Sequence, residues 1–142
     1  MAAFSAGMTL ADYLAHSASR RFALGTWDCA VFLSDWGRAL SGRDPLDGVR
    51  GRYANVRQYR RLLRREGGYL ASTSTRLQRL GFVVTEHPAA GDVAVVLAPT
   101  RNGHEPTGAI VVNAELSAVV TPDLGLVIAP SLPLLRAWSF HA

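Results

Sequence analysis

The hydrophobic period of this sequence changes partway along the chain, and that change constrains the fold most. As far as about residue 80, apolar residues recur at three- and four-residue spacing, the period of a helix. Beyond it, short β-branched runs alternate with Gly-, Pro- and Asp-rich breakers, the pattern of strands and turns. Such segregation predicts an α+β fold, with N-terminal helices packed on a C-terminal antiparallel sheet, rather than alternating α/β units. Nothing in residues 1–142 reads as a linker, repeat or low-complexity tract, so one domain is expected. A chain of this length buries roughly 70% of its unfolded surface, enough for a real core.

Four helices are predicted. Thr9 caps the first, with Asp12 in its first turn and Leu10, Tyr13, Leu14 and Ala18 as its apolar stripe. A second runs from Asp28 to Ser41 and stops at Gly42, with Cys29, Phe32, Leu33, Trp36 and Leu40 at core spacing. A third covers Asn55 to Glu66, ended by Gly67-Gly68. It turns Val56, Tyr59, Leu62 and Leu63 inward and Arg57, Arg60, Arg61, Arg64 and Arg65 outward. A shorter fourth covers Thr73 to Leu80. Strands are predicted at Phe82–Glu86, Asp92–Leu97, Ala109–Val112, Ala118–Thr121, Leu126–Ala129 and Leu135–Ser139. Frequent turns between them imply an antiparallel or small barrel-like sheet.

Several function classes lose support at once. No apolar run approaches the roughly 20 residues that span a bilayer, so membrane insertion is not expected. The opening MAAFSAGMTLADYLA has no basic residue ahead of its apolar positions and does not read as a secretory signal. With a single cysteine, no internal disulfide can form. The four histidines (His16, His87, His104 and His141) have no metal-ligand spacing, and neither metal nor cofactor is expected. The formal charge is +4 and every basic residue is Arg, which permits anionic partners without naming one.

Gly25-Thr26-Trp27-Asp28-Cys29-Ala30 carries most of the chemical information. A thiol opening a helix meets unpaired N–H groups and the positive end of the helix dipole, which favour thiolate. The same N–H groups could serve an oxyanion. Against this, Cys29 also lies on the apolar stripe, where an inert core cysteine would sit. Asp28 reads most simply as the helix cap, although it could orient a base. Trp27, Trp36 and Trp138 read as core.

Trp27-Asp28-Cys29 opening an apolar helix resembles the nucleophile segment of NlpC-type cell-wall peptidases, which have a papain-like fold. Gly91-Asp92-Val93 is similar to the Gly-Asp-hydrophobic step of that superfamily. Gly42-Arg43-Asp44, Arg50-Gly51-Arg52-Tyr53 and Ala137-Trp138 resemble, in order, motifs of a group of small phage and prophage proteins encoded among tail genes. The likeness extends over nearly the whole chain. It implies an NlpC-like fold and a place in the virion tail, near the tail-tip hub, with other tail proteins as partners and assembly in the host cytoplasm.

One departure changes the functional expectation. Active members of the superfamily carry a His two residues before a Gly at the start of the next strand. The matching stretch here is Pro106-Thr107-Gly108, and proline cannot act as a base. His104 could substitute if its Gly-rich loop folds back toward Cys29; otherwise it is an exposed loop residue. The expected role is structural or assembly-related, with a degenerate site. The alternative is an active peptidase cutting host peptidoglycan, with Cys29 as nucleophile and His104 as base. The Arg57, Arg60, Arg61, Arg64 and Arg65 face is expected to meet an acidic protein surface. Nucleic acid is disfavoured, because neither interleaved aromatics nor a known binding motif accompanies the arginines.

Overall fold

The computed structural model describes residues 7–141. Residues 1–6, which begin the segment read as lacking a secretory signal, and residue 142 lie outside that range. The chain runs through four helices and then six strands, and no named strand precedes residue 83. This is the α+β segregation that the change of period implies.

Helix α1 (Leu10–Ala18) is capped by Thr9, whose Oγ1 accepts the Asp12 N–H at 3.1 Å. Its inward face holds Tyr13 and Ser17, while Ala18, expected inside, is exposed. In a helix this short the buried face follows i, i+3, i+4 and i+7 from Leu10, which selects Ser17. That buried hydroxyl is satisfied by the Tyr13 carbonyl at 2.7 Å.

Helix α2 (Cys29–Ser41) ends at Gly42, which takes the left-handed conformation with φ 77°. Phe32, Leu33 and Trp36 are buried in the main core. The Trp36 indole N–H donates to the Gly91 carbonyl at 2.8 Å, fastening the helix to the turn before the second strand. The expected packing of this face on the sheet is present. The loop after α2 is held by Arg50, which grips Asp44 through Nε and Nη2, both at 2.8 Å, and reaches Asp35 at 2.8 Å.

Helix α3 (Val56–Arg65) starts at Asn55, whose Oδ1 accepts the Gln58 N–H at 2.9 Å while Gln58 reaches back to the Ala54 N–H. Tyr59, Leu62 and Leu63 turn partly inward, but Val56, expected with them, is 53% exposed. It is the first helical residue and follows exposed Ala54 and Asn55, so nothing packs over it. Helix α4 (Tyr69–Arg79) begins four residues before the expected Thr73. Gly67 and Gly68, both at positive φ, turn the chain straight into a new helix instead of opening a loop.

The strands are β1 (Val83–Thr85), β2 (Val93–Thr100), β3 (Gly103–Val111), β4 (Leu116–Thr121), β5 (Gly125–Pro130) and β6 (Leu134–Ser139). They form one sheet in the order β1-β6-β2-β3-β4-β5, with every pairing antiparallel. The largest departure from the sequence expectation is β3, which starts at Gly103 rather than Ala109. Its register with β2 runs unbroken from Val93↔Ile110 to Thr100↔Gly103. Pro106 is tolerated there because β4 pairs only with Ala109–Val111, which leaves this part of β3 an open edge. One sheet face carries the main core under the helices. The other buries a second cluster of Ala94, Val96, Ala109, Val111, Val119 and Ala137.

Candidate functional site

Asp28 is the N-cap of α2 and is almost fully buried. Its Oδ1 accepts the Val31 N–H at 2.9 Å. Its Oδ2 accepts the Gly25 N–H at 2.9 Å and the Tyr53 hydroxyl at 2.7 Å. Both oxygens are therefore engaged in holding the helix start, which is the capping role expected of it. Gly25 makes this possible: it sits at φ +84°, and a side chain there would run into the Tyr53 carbonyl oxygen.

Cys29 follows as the first residue of α2 and is partly buried. The groups acting on its thiol are the Asp28 carboxylate, the Gly108 N–H and the Tyr69 and Tyr59 hydroxyls. Burial and then the Asp28 charge push the thiol pKa up; the amide and the two phenols pull it down without prevailing. The position at a helix start favours thiolate, and burial opposes it. The tyrosines respond in kind, since burial raises the pKa of Tyr59 and Tyr69 and keeps both protonated as donors.

Gly108 is the contact point between β3 and the helices. A Cβ there would lie 2.5 Å from the Tyr69 hydroxyl oxygen and 2.8 Å from the Cys29 carbonyl oxygen. Alternate strand residues share a face, so Pro106 and His104 lie on the same side of β3 as Gly108. At about 3.3 Å per residue they stand roughly 7 Å and 13 Å farther along the strand. Pro106 is the exposed same-face neighbour nearest the thiol. His104 is exposed, paired with Pro99, and held on a regular strand instead of a loop that could fold back. The structure thus brings Asp28 and Cys29 together and leaves His104 apart from them. His87 and His141 are exposed, and no group of residues suited to hold a metal occurs among those described.

Sequence reasoning missed the tyrosines. Tyr53 stood in the Arg-Gly-Arg-Tyr stretch without an assigned contact, and Tyr59 read only as an inward apolar residue. Tyr69 fell outside the predicted helix. Tyr53, Tyr59 and Tyr69 also line a small cavity of about 30 Å³ between α2, α3 and α4.

The arginine face stands as drawn from the sequence. Arg57, Arg60, Arg61, Arg64 and Arg65 are all exposed, and none has an ion-pair partner among the described residues. Glu66, the nearest acid in sequence, is held instead by Arg76 at 2.5 Å and Ser72 at 2.5 Å.

Helices over an antiparallel sheet, with a partly buried cysteine at the start of the central helix and tyrosine hydroxyls beside its thiol, define an α+β domain. The chain belongs to the family described as a domain of unknown function, DUF6950, which it matches over residues 6–140. No curated protein and no solved structure matches it.

Proposed function

We propose that this chain is a phage or prophage tail component, near the tail tip, that uses an NlpC-like frame for assembly and not for catalysis. The observation that carries this reading is the environment of Cys29. A papain-like reaction needs a thiolate, a base that later protonates the leaving amine, and donors for the oxyanion. Around Cys29 the donors are present, burial and the Asp28 charge push the thiol pKa up, and the nearest exposed same-face position on β3 is Pro106. A positioned acid–base residue contributes typically about 10²–10⁴-fold in rate, so a thiol without one is a poor catalyst. The binding role falls to α3, whose arginines project from the domain without internal partners.

The test compares wild type, Cys29→Ala and His104→Ala on purified cell wall, alone and within assembled particles. None of the three should release peptide fragments. Cleavage by wild type that both variants abolish while staying folded would make the protein a peptidase with His104 as a displaced base. In parallel, Glu replacements across Arg57, Arg60, Arg61, Arg64 and Arg65 should reduce recovery of the protein in purified tails. Unchanged recovery would remove α3 from the interface.

A further inference from the structure

The basic face of α3 is not uniform. Arg61 and Arg65, with Arg52 from the preceding loop, Gln58 and Leu62, line a surface cleft of about 200 Å³. We infer that this cleft is the anchor point for an acidic polypeptide segment, which binds by placing successive carboxylates on Arg61 and Arg65 with Arg52 closing over them. The inference deepens the binding role proposed above and rests on it only for the identity of the particle.

Charge concentration supports it first. Helix α3 carries five arginines and no acid, against a chain total of +4, so the remaining residues sum to one net negative charge. The positive field is therefore local to this helix and its flank. Glu66, the acid that follows the helix, is paired with Arg76, and Asp35 and Asp44 are paired with Arg50. Like charges at i and i+4 destabilise a helix, and Arg57–Arg61, Arg60–Arg64 and Arg61–Arg65 all repel at that spacing. An arriving anion relieves that repulsion.

Geometry selects the kind of anion. Arg61 and Arg65 are one step of four residues apart, about 6 Å along the axis. Glutamates repeating every four residues on an approaching helix have the same spacing. Side chains two apart on a strand come close to it, at about 6.6 Å. Guanidinium matches carboxylate through paired N–H donors, which Lys cannot reproduce, and the cleft contains no Lys. Gln58 adds a neutral amide able to bond the segment's backbone. Nucleic acid fits less well. Single strands need exposed rings for stacking, whereas Tyr53 is buried and Tyr59 is turned toward Cys29. A basic helix of about 15 Å on an otherwise slightly negative body also offers little track to a long polyanion.

The experiment measures fluorescence anisotropy of a labelled peptide of Glu-Ala-Ala-Ala repeats titrated with the full chain. Its Gln-Ala-Ala-Ala counterpart and a labelled DNA duplex are run alongside. Saturable binding of the Glu peptide alone is expected, weakened about tenfold or more by Arg61→Gln with Arg65→Gln. Arg57→Gln with Arg60→Gln removes the same charge from the same helix and should weaken it far less. Melting curves establish that both double variants fold. Equal losses in the two variants, tighter binding of DNA, or no binding of the Glu peptide would each overturn the cleft assignment. These outcomes separate from the tail reading. A cleft that binds the peptide in a protein absent from purified tails would sink the tail role alone. Loss of tail recovery in the Glu variants without peptide binding would sink the cleft alone.

Discussion

Replacing Tyr53 by Phe tests the bond on which the start of the central helix depends. The phenol donates to Asp28 Oδ2 at 2.7 Å, and both residues are almost fully buried. Phe keeps the ring and its contact with Tyr59, whose centroid lies 4.9 Å away, so the substitution removes little besides the donor. Asp28 keeps its two backbone donors, Gly25 and Val31. A hydrogen bond to a charged group contributes about 1.5–3 kcal/mol. At about 2–4 °C per kcal/mol for a domain near this size, the melting temperature should fall by roughly 3–12 °C.

Urea denaturation followed by circular dichroism gives the free energy, and a double-mutant cycle with Asp28→Ser isolates the pair. Serine still caps the helix but offers no carboxylate to the phenol. In that background Tyr53→Phe should cost little or even stabilise, because it removes a buried hydroxyl that has lost its partner. A cost below about 0.5 kcal/mol in the wild-type background, or an equal cost in both, would refute the claim that Tyr53 acts through Asp28.

Burial raises the pKa of all four tyrosines, Tyr13, Tyr53, Tyr59 and Tyr69. Absorbance at 295 nm should therefore show no tyrosinate near pH 10 until the fold is lost, and a normal titration step in the folded protein would contradict their packing. The same shifts, with that of Cys29, give a stability that is full below the unfolded pKa values and falls as pH rises above about 9, which chemical denaturation across pH will show. Alkylation of Cys29 should be slow at neutral pH and still rising at pH 9, since burial and Asp28 push its thiol up; an inflection below pH 7.5 would mean an activated thiolate. Gly108→Ala should destabilise by about 1–3 kcal/mol, because its Cβ meets the Cys29 carbonyl, and Tyr69→Phe should recover only part of that loss. Arg50→Ala should be strongly destabilising at pH 7 and less so at pH 5. Asp35, already raised by burial, protonates once its cation is gone, whereas wild type loses part of its Asp44 pairing only at lower pH.

The helices and the core of the sheet were legible because their signals are local. Thr9, Asp28 and Asn55 are side-chain caps that announce helix starts, and Phe32, Leu33 and Trp36 fall on one face by period alone. The start of α4 was not legible, because Gly68 caps it with no side chain. The extension of β3 through Pro106 was hidden because proline signals a break unless the strand is known to be an edge there. Within the site, Asp28 and Cys29 were found from position. Tyr59 and Tyr69 converge on the thiol and Tyr53 on its neighbour Asp28, and no local pattern encodes a meeting of that kind.

The short motifs acquire a physical meaning once the contacts are known. Asp44 and Arg50 clamp the loop after α2 to Asp35, Tyr53 bonds the cap of α2, and the Gly91 carbonyl receives the indole of Trp36. All of these ties hold one element, the helix that Cys29 opens. The fit around that helix is tight enough at Gly108 that a methyl group would force its neighbours to shift. Tyr59 and Tyr69 bring the inner faces of α3 and α4 against the sulfur. The frame therefore holds the cysteine, partly buried, within the packing of three elements. A thiol so placed can persist as a packing residue, while the arginines on the outer face of α3 stay open to solvent.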